Sequence, residues 1–396
     1  MKDYVKKELI RFIMNEDRYL FINGKAGTGK TVLIGEIYKE WDNLISSSRI
    51  IDSELKFNLD VSSTTHKSAA VLTQTLGDKV NTVFKLLNLR LVSKGQATYL
   101  NQVSKPVLSV DTVLIIDEYS FINDKLLEYI EGSSYKKVIF VGDPYQLLAP
   151  KQYVLATREL QGSVIELTEI YRTDKDDIRE LNLQMYETVK TGICKKIPLS
   201  ENILHVPKED FLAMVKEGSS NSNQVVICGT NVAVEEYNKL LQTHNSGHES
   251  LSVGQYCYSN SYNKEAGLKN NEILLILAKT ECTHPTLGLE GYYYSVMSEN
   301  GTVEVFIPNS LKEKSQAISK AVKEQKYLLA DQINVLADLR PGYAMTAYKA
   351  QGSSFDTVYI DLNSFKSLKR NVDSLYRALY VLVSRARNKI VFTGDI

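Results

Sequence analysis

The chain has 396 residues, 43% of them hydrophobic and 24% charged, a length for roughly two to four globular domains. Lys plus Arg equals Asp plus Glu at 47 each, which excludes a global field that draws in polyanions, so a nucleic-acid partner would need a local basic groove. No apolar run approaches a membrane span, Met1 opens a charged amphipathic segment, and Cys194, Cys228, Cys257 and Cys282 form no C-x-x-C pair, so we expect a cytoplasmic protein with reduced thiols, no membrane partner and no zinc site.

Tyr19-Leu20-Phe21-Ile22 reads as a buried strand, and Gly24-Lys25-Ala26-Gly27-Thr28-Gly29-Lys30-Thr31 follows it. This segment fits G-x-x-x-x-G-K-[ST], and a helical pattern starts at Thr31. Gly24, Gly27 and Gly29 let backbone N–H groups turn inward on phosphates, and the helix N-terminus adds partial positive charge. Lys30 is placed to reach the β- and γ-phosphates, and the Thr31 hydroxyl to ligate Mg²⁺. A plain glycine turn is the bland alternative. Strand, loop and helix in this order instead imply a nucleoside triphosphate site. Val32 to Trp41 carries apolar residues at helical spacing, with Trp41 as a packing residue.

Phe57 to Val61 alternates apolar and polar residues, as a short strand does, and Ser62-Ser63-Thr64-Thr65-His66 leads into a helix over Lys67 to Thr75. The polar stretch 91–110 contains Gly95 and suits an inserted β-hairpin. Thr112 to Ile116 and Lys137 to Val141 are short apolar runs with acidic residues beyond them, the pattern of parallel strands with functional carboxyl ends. Asp117 and Glu118 close the first. One carboxylate can hold the Mg²⁺ water shell, and the next can activate water for attack on a γ-phosphate. Gly142-Asp143-Pro144-Tyr145-Gln146 closes the second. It is good turn chemistry, and it also puts the Gln146 amide where a γ-phosphate can be sensed.

The α/β pattern restarts with strands at Gln224 to Cys228, Thr357 to Asp361 and Lys389 to Phe392, and a helix over Val232 to Leu241. Strands alternating with helices indicate doubly wound sheets. Between them, Tyr292-Tyr293-Tyr294 and then Val303, Val305 and Ile307 at period two mark a small β-rich insertion. A charged helix over Leu311 to Lys326 follows.

In order, these segments resemble the motifs of superfamily 1 helicases. The phosphate loop is similar to motif I, Ser63 to Ala70 to motif Ia, Ile115-Ile116-Asp117-Glu118 to motif II and Gly142 to Gln146 to motif III. Leu167-Thr168-Glu169-Ile170-Tyr171-Arg172 resembles motif IV, Thr346-Ala347-Tyr348-Lys349-Ala350-Gln351-Gly352 motif V, and Tyr380 to Arg387 motif VI. Thr-His in motif Ia, Thr230-Asn231 and the K-A-Q-G form of motif V fit the RecD-like, 5′-to-3′ branch, and the size is similar to Dda-type phage helicases. Three departures stand out. An L-x-x-x-Q element that reads adenine is missing from Met1 to Glu8, Phe84 stands where motif Ib has His, and Tyr348 stands where motif V has His.

The resemblance implies an α/β fold of two RecA-like parallel-sheet domains with small inserted β-rich domains. Their expected bounds are 1–90 and 111–170 for the first, 91–110 for a pin hairpin, 171–280 and 341–396 for the second, and 281–340 for an SH3-like insertion. ATP and Mg²⁺ would be bound by Gly24, Gly27, Gly29, Lys30, Thr31, Asp117 and Gly352. Glu118, Gln146, Arg172 and Arg385 would act with Lys30 in catalysis, Arg385 as an arginine finger, while Arg387, the other motif VI arginine, is given no role. Thr65, His66, Thr230, Asn231 and Thr346 would grip the DNA backbone. Phe84 and Tyr348 would stack on bases, and Tyr99 would cap the fork from the hairpin.

The implied activity is ATP-driven unwinding and 5′-to-3′ translocation on single-stranded DNA and forked duplexes, in phage replication or recombination, in the host cytoplasm if phage-encoded. A single-strand-binding protein or replisome component is the expected partner. RNA stays open, since backbone grips accept either sugar. Two other readings are a nucleic-acid-stimulated ATPase that remodels protein–DNA complexes without efficient unwinding, and an ATP-dependent binding switch.

Overall fold

The computed structural model describes residues 1–396 apart from 95–96, 105–110, 151, 153, 220–222, 248, 261–262, 264, 269–271, 299–300 and 396, and for 91–94, 97–99 and 311 it describes the backbone only. Two compact units divide the chain. The first comprises Met1–Leu204, Gln351–Ser354 and Ser367–Ile390, and the second His205–Ala350, Phe355–Lys366 and Val391–Ile396.

The first unit is built on β1 (Tyr19–Gly24), β2 (Asn58–Ser63), β3 (Asn81–Thr82), a hairpin of β4 (Leu89–Lys94) and β5 (Ala97–Gln102), then β6 (Thr112–Asp117), β7 (Lys137–Gly142) and β8 (Ser163–Leu167). Six of these strands form one sheet in the order β3-β2-β6-β7-β1-β8, with every neighbouring pair parallel. Alternate residues of the central strands feed two cores. Leu20, Ile22, Val113, Ile115, Ile139 and Val141 pack with Leu33, Ile37 and Trp41 on one face. Tyr19, Phe21, Leu114, Ile116, Val138 and Phe140 pack with Leu126 and Ile130 on the other. Burial on both faces explains why these strands are continuous apolar runs. Trp41 is buried, and its indole N–H donates to the Phe57 carbonyl at 2.9 Å.

In the hairpin, Leu89 pairs with Gln102 and Val92 with Tyr99, through to Lys94 with Ala97. The Tyr99 side chain lies outside what the structure describes.

The second unit contains β10 (Gln224–Cys228), β16 (Ala344–Thr346) and β17 (Phe355–Asp361), with β10 parallel to both of the others. With β9 (Ile203–His205) and β18 (Ala386–Thr393), whose residues straddle the division, these make a sheet in the order β16-β10-β17-β18-β9. A separate antiparallel sheet runs β14-β13-β12-β11-β15, from β11 (Tyr256–Ser259), β12 (Ile273–Thr283), β13 (Glu290–Ser298), β14 (Gly301–Pro308) and β15 (Leu339–Pro341). It has its own core, including Leu274, Ile276, Tyr294, Val296 and Val305. Its first two strands, β11 and β12, begin before residue 281, whereas the β-rich composition around 291–307 marks only β13 and the edge strand β14. Among the described residues no helix is long and apolar enough to cross a membrane.

Candidate active site

Strand register gathers the motifs of the first unit at one edge of its sheet. Asn23 lies beside Gly142, Gly24 beside Leu167, and Asp117 beside both Val141 and Ser63. The phosphate loop, Asp117-Glu118, Gly142 to Gln146 and the segment leading to Arg172 therefore all leave the carboxyl ends of neighbouring strands, where α/β sheets bind ligands.

Gly27 has φ +84°, and a Cβ there would lie 2.6 Å from Cβ of Arg172, so glycine is required on both counts. The Tyr171 N–H donates to the Gly27 carbonyl at 2.8 Å, tying the loop to the segment after β8. Lys30 opens the helix Lys30–Arg49, and its Nζ donates to the carbonyls of Gly24 (2.6 Å) and Lys25 (3.1 Å), curling over the loop. Burial pulls its pKa down, while the charges of Asp143, Glu118 and Asp117 oppose that shift.

Asp117 is buried at the end of β6 and accepts a 2.5 Å hydrogen bond from Ser68 Oγ. Burial, then the neighbouring Glu118 charge, push its carboxyl up to about 7, against the Ser68 bond and Lys30. Glu118 has φ 57° and ψ 45°, a left-handed backbone that a non-glycine residue adopts at a cost. Its Oε2 accepts from Gln351 Nε2 at 3.3 Å. Gln146 is buried, and its Nε2 donates to Asp143 Oδ2 at 3.1 Å. Among the described residues, Gln146 Oε1, Gln351 Oε1 and Ser120 Oγ are buried without a hydrogen-bond partner. Buried polar atoms are normally paired, so the two amide oxygens, on side chains bonded to Asp143 and Glu118, are where a polar ligand or water would fit.

Arg385 follows the helix Val372–Val383 and is only 1% exposed, whereas Arg387 is exposed. The two arginines that composition leaves alike are thus separated by burial. Arg385 donates from Nε to the Val381 carbonyl (3.0 Å), from Nη1 to the Ser353 carbonyl (3.2 Å) and from Nη2 to Ser384 Oγ (2.6 Å). Arg172 Nη1 donates to the Ser384 carbonyl at 2.8 Å, and Lys67 donates to Ser353 Oγ. Burial and then Arg172 pull the Arg385 guanidinium down to about 9, and burial and then Arg385 pull Lys67 down to about 8. Both remain cations at neutral pH. Desolvated cations that depress one another call for an anion, and a polyphosphate supplies one. Asp117 and the Thr31 hydroxyl are a hard-oxygen donor set that fits Mg²⁺.

Ser68, Asp143, Gln351 and Tyr380 belong to this site and were not singled out from the sequence. Each sits inside a recognised motif, which was the available signal. Gly352 is exposed, with φ +76°.

The expected DNA grips share a structural trait. Thr65 caps the helix His66–Leu76 by accepting from Ser68 N–H, and Thr230 caps Asn231–Ser246 by accepting from Ala233 N–H, each at 3.2 Å. Thr346 accepts from Lys349 N–H at 3.4 Å. A threonine used this way keeps its hydroxyl proton for a phosphate oxygen, and for the first two the helix N-terminus adds favourable charge. In the first unit His66 is exposed, while Phe84 is half-buried and packs against the core around Val83 and Leu87. In the second unit Thr346 lies beside Cys228 in register, two residues before Thr230, and Tyr348 is exposed.

A family profile described as an AAA domain matches residues 6–195, and one described as a UvrD-like helicase C-terminal domain matches residues 341–393. The chain is 22% identical to an uncharacterized protein, R530, of Acanthamoeba polyphaga mimivirus, over 97% of each chain. It is also 22% identical to the RecBCD enzyme subunit RecD of Buchnera aphidicola subsp. Schizaphis graminum, over 94% of this chain and 69% of the relative. Among solved structures, a Bacteroides Pif1 helicase in complex with ADP-AlF3 and single-stranded DNA superimposes with a TM-score of 0.55 at 17% identity, over 100% of this chain and 93% of that one. A Pif1 structure addressing unwinding of forked double-stranded DNA gives 0.54 at 16% identity, over 100% and 92%. Two parallel-sheet α/β units carrying these motifs define an ATP-dependent helicase, a hydrolase of ATP. Taken together, the two family matches, the RecD relative and the shared fold support a superfamily 1 helicase of the RecD-like and Pif1-like kind.

Proposed function

We propose that this DNA helicase translocates 5′ to 3′ on single-stranded DNA and opens forked duplexes. The observation that carries the reading is the set of partly or fully desolvated cations, Lys30, Lys67, Arg172 and Arg385, each of which interacts with the charge of Glu118 beside the phosphate loop. In it Glu118 accepts a proton from the attacking water, Gln146 orients that water, and Arg172 and Arg385 offset charge on the transferring phosphoryl group. Thr31 and Asp117 would hold Mg²⁺, which would supply charge neutralisation at the phosphates. The two motor halves of this reading are residues 1–90 with 111–170 and 171–280 with 341–396, whereas the compact units put 171–204, 351–354 and 367–390 with the first. Thr65, His66, Thr230, Asn231 and Thr346 grip the backbone, and Phe84 and Tyr348 contact bases. The hairpin wedge would work against about 1.4 kcal/mol of stacking per base-pair step. The compact size, similar to that of Dda-type phage helicases, favours a role in phage replication or recombination, with a single-strand-binding or replisome protein as partner.

The test is ATPase rate with and without single-stranded DNA, Lys30→Ala as control, followed by forks with a 5′ or a 3′ loading tail. Strong stimulation lost in the variant, and unwinding from the 5′ tail, is the expected result. A rate indifferent to DNA and RNA sinks the motor. Displacement of bound protein without unwinding would leave the remodelling ATPase.

The Asp117 carboxyl near 7 adds a prediction about Mg²⁺, since metal binding must displace its proton. Below that value the site is protonated, and above it ionised. Calorimetric titration with Mg²⁺·ADP should release about one proton more at pH 6 than at pH 8, and Asp117→Asn should abolish the difference. Equal release at both pH values would remove Asp117 from the metal site.

A further inference from the structure

The ring of Tyr380, in the helix Val372–Val383, is buried to 1% exposure and meets Tyr186 edge-on at 5.9 Å. A phenylalanine would fill that space equally well. The hydroxyl is therefore what needs explaining, because burying one without partners is costly. It donates to Asp143 Oδ2 at 2.7 Å and accepts from the backbone N–H of Ala26, inside the phosphate loop, at 2.9 Å. Asp143 is fully buried and also accepts from Tyr145 N–H (3.0 Å) and Gln146 Nε2 (3.1 Å). One turn earlier on the same helix, Arg377 Nη1 donates to the carbonyls of Pro144 (2.6 Å) and Gln146 (3.0 Å).

We propose that Tyr380 is a positioning residue for ATP hydrolysis, whose hydroxyl ties the phosphate loop at Ala26 to Asp143 and thereby fixes the orientation of Gln146. The inference deepens the proposed roles of Gln146 and Arg385 and rests on them. Asp143 holds the amide nitrogen of Gln146, which leaves Oε1, a buried atom without a partner, as the free acceptor of this side chain. An acceptor is what an attacking water requires. Tyr380 joins three elements that must agree during turnover: the loop that holds phosphates, the amide that orients water, and the chain segment that carries Arg385. Burial and the Asp143 charge keep the phenol protonated, so it remains a donor throughout the working pH range. Tyr380 does not touch substrate in this scheme; it acts through Asp143 and Gln146.

Tyr380→Phe deletes one oxygen and keeps the ring. We expect kcat at saturating DNA to fall by about 10–100-fold, with KM for ATP within about threefold of wild type, as expected when an interaction made only in the transition state is lost. The discriminating readout is the combination with Gln146→Ala. If Tyr380 acts through Gln146, the double variant is no slower than Gln146→Ala alone. Multiplicative losses, or a Tyr380→Phe kcat within twofold of wild type, overturn the proposal. If Tyr380→Phe does not fold, as judged by its urea transition, Asp143→Asn in the same cycle gives the same two outcomes. A wild-type rate indifferent to DNA would sink the motor reading while leaving this cycle interpretable.

Discussion

Arg385→Ala should lower ATP turnover by about 10³–10⁵-fold, the range seen for arginines that stabilise phosphoryl transfer. The guanidinium is buried and held by bonds to Val381, Ser353 and Ser384, so its position is set before any phosphate arrives. Preorganised charge in a dry site acts without reorganisation at the moment of reaction. Arg385→Lys keeps a positive charge but loses the planar fork, and should recover only a small part of the rate. Single-turnover hydrolysis at saturating ATP measures the loss, and ADP affinity should change far less. Because the substitution leaves buried carbonyls unpaired, a urea transition must accompany it. Turnover within tenfold of wild type in the folded variant would make Arg385 a structural residue.

Much of this architecture is legible in the sequence where burial is two-sided. β6 and β7 read directly because every residue in them is buried, and a short unbroken apolar run such as Thr112 to Ile116 suits a strand covered on both faces. β8 is the edge strand of its sheet, with one fully buried residue, Ile165, and its mixed composition gives no period to detect. β12 extends over eleven residues, six of them exposed, and so blurs into its surroundings. Within the site, the motifs are local and readable, but the bonds between them are not. Ser68 meets Asp117 across 49 residues, Gln351 meets Glu118 across 233, and Tyr380 meets Asp143 across 237. Only the fold creates those pairs. The threonine grips were chosen for hydroxyl chemistry, while their use as helix caps depends on where each helix begins.

Glu118→Gln should lower kcat by about 10²–10⁴-fold while leaving ATP bound at least as tightly as in wild type. The backbone argues for a functional residue first. Left-handed φ and ψ at a non-glycine residue cost on the order of 1–3 kcal/mol, and the surroundings enforce them here. The Glu118 carbonyl accepts from Thr64 Oγ1 at 2.9 Å and Phe121 N–H at 3.1 Å, which locks the turn out of β6 and aims the side chain. Glutamine is nearly isosteric and preserves that turn. It cannot accept a proton from water at the γ-phosphate, so the general-base contribution is lost. Its neutrality has the opposite effect on binding, since removing one negative charge beside Lys30, Arg172 and Arg385 lessens repulsion of the triphosphate. A fluorescent ATP analogue reads affinity, and quenched-flow hydrolysis reads the chemical step. Slow chemistry with weakened binding would point to a collapsed site. Unchanged chemistry with intact binding would assign proton acceptance to another group and reduce Glu118 to an electrostatic partner of the arginines.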